Sequence, residues 1–134
     1  NEPYLGKWIA KHSKKSETLE SLYFSFNKRL DAYLAISEYI IQEYKKYSVL
    51  CVAFYGHPTL FVNSGLWAAK KIIRAGGEVV ILPAISTLDC LFSELQFDPG
   101  DVGCYFLDAT DFLLRKKKFD VRSHLILFQV GILS

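Results

Sequence analysis

The sequence predicts an α/β domain built on a mostly parallel sheet with flanking helices. Two observations carry this. Four apolar runs, at residues 49–55, 78–82, 103–107 and 123–130, read as strands. Between the first three lie stretches whose apolar residues recur every three to four positions, which is the period of a helix packed on one face. Strand, helix, strand, helix, strand in that order favours parallel pairing, because each helix can carry the chain back across the sheet. A chain of 134 residues, 51% hydrophobic and 15% aromatic, is long and apolar enough to bury one core.

The elements follow in order. Tyr4, Leu5, Trp8 and Ile9 have helical spacing, which predicts a short amphipathic helix within residues 1–15. Residues 16–26 show no clear period. From residue 28 to 47 the apolar positions Leu30, Tyr33, Leu34, Ile36, Ile40, Ile41, Tyr44 and Tyr47 predict a long amphipathic helix, capped by Asn27 or Ser25. Strand 49–55 comes next. Helix 64–75 turns Leu66, Ala69, Ile72 and Ile73 inward and stops at Gly76 and Gly77. Strand 78–82 is halted by Pro83. Ser86 or Thr87 caps a helix through Leu95, with Asp89 in its first turn. Asp98, Pro99, Gly100 and Asp101 make a turn, strand 103–107 follows, residues 108–118 are a loop or short helix, and 123–130 is the last strand.

Composition removes several function classes. The formal net charge is +2, and the only basic clusters are Lys14-Lys15 and Arg115 to Lys118. Neither has a second basic stripe beside it, so each reads as a solvated loop or helix end and no nucleic-acid partner is expected. No apolar run approaches the roughly 20 residues that span a bilayer, and no signal peptide opens the chain, so a cytoplasmic protein without a membrane partner is expected. Cys51, Cys90 and Cys104 are expected to be three reduced core thiols. His12, His57 and His124 lack metal-ligand spacing, and no metal site is expected. Gly-rich dinucleotide, Walker and serine-elbow motifs are absent. The chain has no Met and ends in apolar residues 131–134, which suggests a piece of something longer.

Three constellations remain. Tyr55-Gly56-His57-Pro58-Thr59-Leu60-Phe61-Val62 follows a strand and precedes a helix, where open α/β sheets place ligands; it is either a small-molecule site or a structural loop. Pro83-Ala84-Ile85-Ser86-Thr87 also lies beyond a strand end and serves as a helix cap, a share of the same crevice, or both. Tyr23, Arg29 and Tyr33 form the third. Arg29 and Tyr33 are four apart and share a helix face. A guanidinium stabilises negative charge and a phenol can give or take a proton, although Arg–Tyr surface packing explains the same spacing.

An ordered set of segments resembles a known family. It comprises Phe54 to Pro58, Phe61-Val62-Asn63, Leu82 to Ser86, Asp89 to Phe92, Asp98-Pro99, Gly103-Cys104, Ala109 to Leu113 and His124 to Gly131. In this order the segments resemble the tetrapyrrole methylase superfamily of S-adenosylmethionine-dependent methyltransferases, and within it the borosin peptide backbone α-N-methyltransferases. The resemblance implies that residues 1–134 are a partial N-terminal methyltransferase domain of a tetrapyrrole-methylase-like fold, without its first strand and Gly-rich turn. Residues 1–3 would be the turn after the second strand, and a second domain would follow Gly131.

The resemblance implies S-adenosylmethionine as cofactor, with Tyr55, His57 and Leu60 on one side, Ser86 and Thr87 on the other, and Gln129 near the domain junction. It implies Tyr23, Arg29 and Tyr33 as the catalytic group, acting on a precursor peptide carried in cis as a tail or supplied in trans. It further implies a homodimer in the full-length form, with this piece alone inactive. Thr59 and Ala84 stand where the family usually has Gly, and Ala84 would be strained if its φ were positive. Arg29 with one Tyr would polarise the amide oxygen while the other Tyr takes the N–H proton; the spacing does not assign the two phenols. Carbon methylation of a porphyrin or corrin macrocycle is the alternative substrate reading, and a non-catalytic module that kept the fold is the alternative class.

Overall fold

A computed structural model describes residues 3–132. Residues 1 and 2, and with them most of the expected N-terminal turn, lie outside the described residues, as do Leu133 and Ser134. The chain is mixed α/β and divides into two compact units, residues 1–53 with 62–80, and residues 54–61 with 81–134.

The first unit is helical. It contains α1 (Pro3–His12), α2 (Glu20–Phe24), α3 (Arg29–Tyr44) and α4 (Asn63–Arg74). Its core is the α3–α4 interface, where Ala32, Ile36 and Ile40 meet Ala68, Ala69 and Ile72, all buried. The small side chains let the two helices approach closely. Ile73, expected to face inward, is 54% exposed, because a twelve-residue helix with this core turns it past the buried stripe. Neither Asn27 nor Ser25 caps α3; Lys28 occupies the cap position and supplies no side-chain hydrogen bond. The end of α4 forms as the sequence predicts. Gly76 N–H donates to the Ile73 carbonyl and Gly77 N–H to the Ile72 carbonyl, each at 3.0 Å, with Gly76 at φ +85°. This is the paired-bond glycine stop of a helix C-terminus.

Ser37, 1% exposed on α3, has a side-chain oxygen with no hydrogen-bond partner among the described residues. A buried hydroxyl left unpaired costs about 1–3 kcal/mol, so Ser37→Ala is expected to raise stability by about 1 kcal/mol in urea unfolding.

The second unit carries the sheet. It contains α5 (Thr87–Leu95), α6 (Pro99–Val102), β1 (Cys104–Asp108), α7 (Ala109–Leu114), β2 (His124–Phe128) and a 3-10 turn at Val130–Ile132. Strands β1 and β2 pair in parallel, Cys104 opposite His124 through Asp108 opposite Phe128, and residues 109–123 make the crossover that parallel pairing requires. Successive residues of β1 serve opposite faces. Phe106 packs towards Phe92 of α5 at 6.1 Å between ring centroids, and Tyr105 meets Phe119 at 6.2 Å. The expected turn at residues 98–101 is a single helical turn started by Asp98, whose carboxylate accepts from Gly100 N–H at 2.7 Å. Asp108 caps α7, and Asp111 pairs with Arg115 at 2.6 Å and Lys117 at 3.3 Å.

Two expected strands do not form. Residues 49–55 and 78–82 have no regular secondary structure and join no ladder among the described residues. Their sequence supplies strand propensity; a strand also needs a neighbour for its backbone groups, and neither segment has one. Their side chains show the same lack of partners, with Val49 84%, Val80 83% and Leu82 74% exposed. The mostly parallel sheet is therefore one parallel pair. The cysteines differ from expectation for a related reason. All three are free, but Cys51 and Cys90 are exposed and only Cys104 is partly covered, since Cys51 lies on an unpaired segment and Cys90 on the outer side of α5. Burial pushes the Cys104 thiol up from its ordinary value.

Candidate functional site

Within the second unit, the loop of residues 54–61 and the start of α5 border two cavities open to solvent. The larger, about 310 Å³, is lined by His57, Thr59, Leu60, Ala84, Ser86 and Asp89. The smaller, about 150 Å³, is lined by Tyr55, Gly56, His57, Leu60, Phe61, Ser86, Thr87 and Phe128. His57, Leu60 and Ser86 belong to both. The larger volume falls within the range of roughly 300–1,000 Å³ common to small-molecule sites.

Local chemistry explains why the walls hold their places. Gly56 takes φ +79°, which lets the chain reverse after residue 55. Phe61 also has positive φ, at 54°, where a bulky residue is strained by about 1–3 kcal/mol. Its ring stacks on Phe128 at 4.3 Å between centroids, which ties the loop to the end of β2 and offsets part of that strain. Gln129, next in the chain, is likewise left-handed at φ 62°. Strained backbone on both sides of one aromatic stack is the kind of outlier that accompanies binding sites. Thr59 and Ala84 have no positive φ, so the side chains that replace glycine there are unstrained.

Ser86 and Asp89 form a complete capping box at the start of α5. Asp89 Oδ2 accepts from the Ser86 N–H and hydroxyl, each at 2.6 Å. Those two bonds hold the Asp89 carboxyl below its usual range, and His57 adds a smaller pull in the same direction. A depressed folded value means the cap's stabilisation is present above the unfolded titration, near about pH 4, and is lost as pH falls through the lower folded value. Protection of the first-turn amides of α5, relative to their intrinsic exchange at each pH, should hold down to about pH 4 and fall below it, and Asp89→Asn should abolish that step.

Five of the six residues expected to bind cofactor, Tyr55, His57, Leu60, Ser86 and Thr87, thus line these cavities. Gln129 follows the lining residue Phe128 and is not itself a wall. Tyr55 is 87% exposed at the rim. Thr59 and Phe61 belong to the expected turn and Ala84 to the second expected segment, whereas sequence reasoning missed Phe128 as a wall and placed Asp89 only in the first turn of α5. The one available signal was the position of Phe128 at the carboxyl end of a strand.

In the first unit, two of the three residues of the other expected set, Tyr23 and Tyr33, come together. Tyr23 lies on α2, and its ring centroid is 6.2 Å from that of Tyr33 on α3. Arg29 is the first residue of α3, one turn before Tyr33, and is half-buried. Trp67 of α4 meets Tyr33 edge to face at 6.5 Å, a contact with no sequence signature. A cation in the first turn of a helix opposes the helix dipole, so Arg29 and the uncapped start of α3 together favour a negative charge there. Among the described residues no cluster of His, Cys, Asp and Glu could hold a metal, and no helix is long and apolar enough to cross a membrane.

No protein-family profile matches the chain. It is 36% identical over 130 residues to a methyltransferase/ribosomally synthesized cyclic peptide lentinulin A precursor of Lentinula edodes, covering 97% of this chain and 31% of that protein. The corresponding omphalotin A precursor of Omphalotus olearius matches with the same identity and coverage. A type III borosin cyclic peptide precursor of Anomoporia bombycina, also named a methyltransferase, is 36% identical over 134 residues, 99% of this chain and 15% of that protein. The chain spans about a third or less of the length of these curated relatives.

Proposed function

We propose that this chain is part of an S-adenosylmethionine-dependent methyltransferase that methylates backbone amide nitrogens of a ribosomal precursor peptide. The observation that carries the reading is the 36% likeness, over nearly the whole chain, to proteins whose names join a methyltransferase with a cyclic peptide precursor. The same names support a substrate carried in cis. The ordered motifs extend the reading to an N-terminal domain of tetrapyrrole-methylase-like fold and to a homodimer as the working form. No observation favours a macrocycle as substrate.

The cavity residues fit the cofactor. Leu60, Phe61 and Phe128 offer apolar and aromatic walls for a purine, while Ser86, Thr87, His57 and Asp89 offer donors and an acceptor for hydroxyls and an amino-acid tail. When bound, S-adenosylmethionine supplies a methyl group made electrophilic by its sulfonium. The chain's own residues would do the rest. An amide nitrogen is a poor nucleophile because its lone pair is shared with the carbonyl. Arg29 and one of Tyr23 or Tyr33 would stabilise the negative charge that gathers on the amide oxygen, and the other phenol would take the N–H proton.

Calorimetric titration of the complete protein with S-adenosylmethionine tests the reading. Saturable binding with micromolar affinity is the expected result. Absence of binding would leave a module that kept the fold without the chemistry.

A further inference from the structure

His57 lines both cavities, so the state of its ring decides what a ligand meets there. A neutral imidazole carries one N–H and one bare nitrogen, and a hydrogen bond at one nitrogen selects the other as donor. Thr59 makes two contacts to the same nitrogen. Its backbone N–H donates to His57 Nδ1 at 3.3 Å, and its hydroxyl lies 3.1 Å from that atom. A backbone N–H can only donate, so Nδ1 must be bare to receive it. The hydroxyl can rotate, and it satisfies the same bare nitrogen by donating its own proton. The ring proton then resides on Nε2. Asp89, in the larger cavity with His57, is opposite in kind, since a carboxylate only accepts. Ser86 directs both of its donors to Asp89 Oδ2, and Oδ1 receives none among the described residues.

The geometry points to Thr59 as a positioning residue that locks His57 as an Nε2–H donor, which gives the larger cavity one fixed donor and one carboxylate acceptor. A ligand selected in this way carries an acceptor oxygen for His57 and an ammonium or hydroxyl donor for Asp89. An amino-acid tail or the hydroxyl edge of a ribose has both. The ligand half of this inference rests on the methyl-donor reading of the cavity; the state of the ring does not.

The test uses the complete protein with ¹⁵N-labelled histidine, above neutral pH, together with Thr59→Val and Thr59→Ser. In the unsubstituted protein the His57 Nδ1 resonance should have the frequency of an acceptor nitrogen and Nε2 that of a protonated one. Thr59→Val keeps the backbone N–H and loses only the hydroxyl, so both should move part of the way towards the average of two exchanging tautomers, and Thr59→Ser should restore them. Calorimetry with S-adenosylmethionine should show affinity weakened about threefold to tenfold by Thr59→Val, the size of one net hydrogen bond, and recovered by Thr59→Ser. Ring resonances unchanged in Thr59→Val, or a Thr59→Ser protein that behaves like Thr59→Val, would overturn the role of the Thr59 hydroxyl. Shifted resonances with unchanged affinity would overturn Nε2–H as the ligand's donor. If the unsubstituted protein fails to bind S-adenosylmethionine, the methyl-donor reading falls by itself, and the resonances still decide what Thr59 does.

Discussion

Arg29→Ala in the complete protein is expected to slow peptide methylation by about 10²–10³-fold, the usual cost of removing one group that stabilises a developing oxyanion. Affinity for S-adenosylmethionine, measured beside the rate, separates a loss of chemistry from a loss of binding or folding. The cause is electrostatic. Arg29 sits at the positive end of α3, where no side chain caps the helix, and Tyr33 lies one turn along the same face with Tyr23 beside it. The phenols should behave as a unit with Arg29. Tyr23→Phe or Tyr33→Phe alone should cost about 10²-fold or more, and either added to Arg29→Ala should cost much less than the product. Quantitative mass spectrometry of the peptide over time gives these rates. Unchanged methylation in both Arg29→Ala and Tyr33→Phe would remove the set from the chemistry.

Gly77→Ala carries the largest expected effect on folding. A Cβ at residue 77 would lie 2.6 Å from Ile72 Cγ2 and 2.6 Å from the Tyr44 hydroxyl oxygen. Ile72 is buried and β-branched, so its methyl has little freedom to move aside. The tip of Tyr44 can yield, but only by leaving its place at the end of α3. A loss of about 1–3 kcal/mol is expected by urea unfolding, the usual cost of overpacking. Gly76→Ala provides the contrast. It has open space around it, and its cost of about 1 kcal/mol would come from φ +85° alone. If Gly77→Ala proved the milder of the two, the contact between Gly77 and the α3–α4 core would be wrong.

Legibility in the sequence followed the range of the interactions involved. Helix α5 was readable to within one residue, because Ser86 and Asp89 specify a capping box within four positions, although Thr87 was an equal candidate for the cap. The stop of α4 at Gly76 and Gly77 was readable for the same reason. Residues 49–55 and 78–82 were misread as strands because apolar character fixes propensity, whereas a ladder depends on a partner distant in sequence. The cap of α3 was misplaced because Ser25 serves α2 instead, its hydroxyl donating to the Ser21 carbonyl at 2.7 Å. At the cavities, the turn from Tyr55 to Leu60 announced itself through Gly56 and Pro58. The Phe61–Phe128 stack and the link from Thr59 to His57 did not. The first joins positions far apart in the chain, and the second depends on a rotamer that no spacing rule encodes. Tyr23 was placed beside Tyr33 by spacing and resemblance, while Trp67 against Tyr33 came only with the packing of α4.

The most direct test of the central claim is tandem mass spectrometry of the precursor peptide, carried by the complete protein or mixed with it, after incubation with isotopically labelled S-adenosylmethionine. The account predicts labelled methyl groups localised to backbone amide nitrogens, and their loss in Arg29→Ala. A peptide that remains unlabelled under conditions where the cofactor binds, or label found on side chains or on a macrocycle instead, would contradict it.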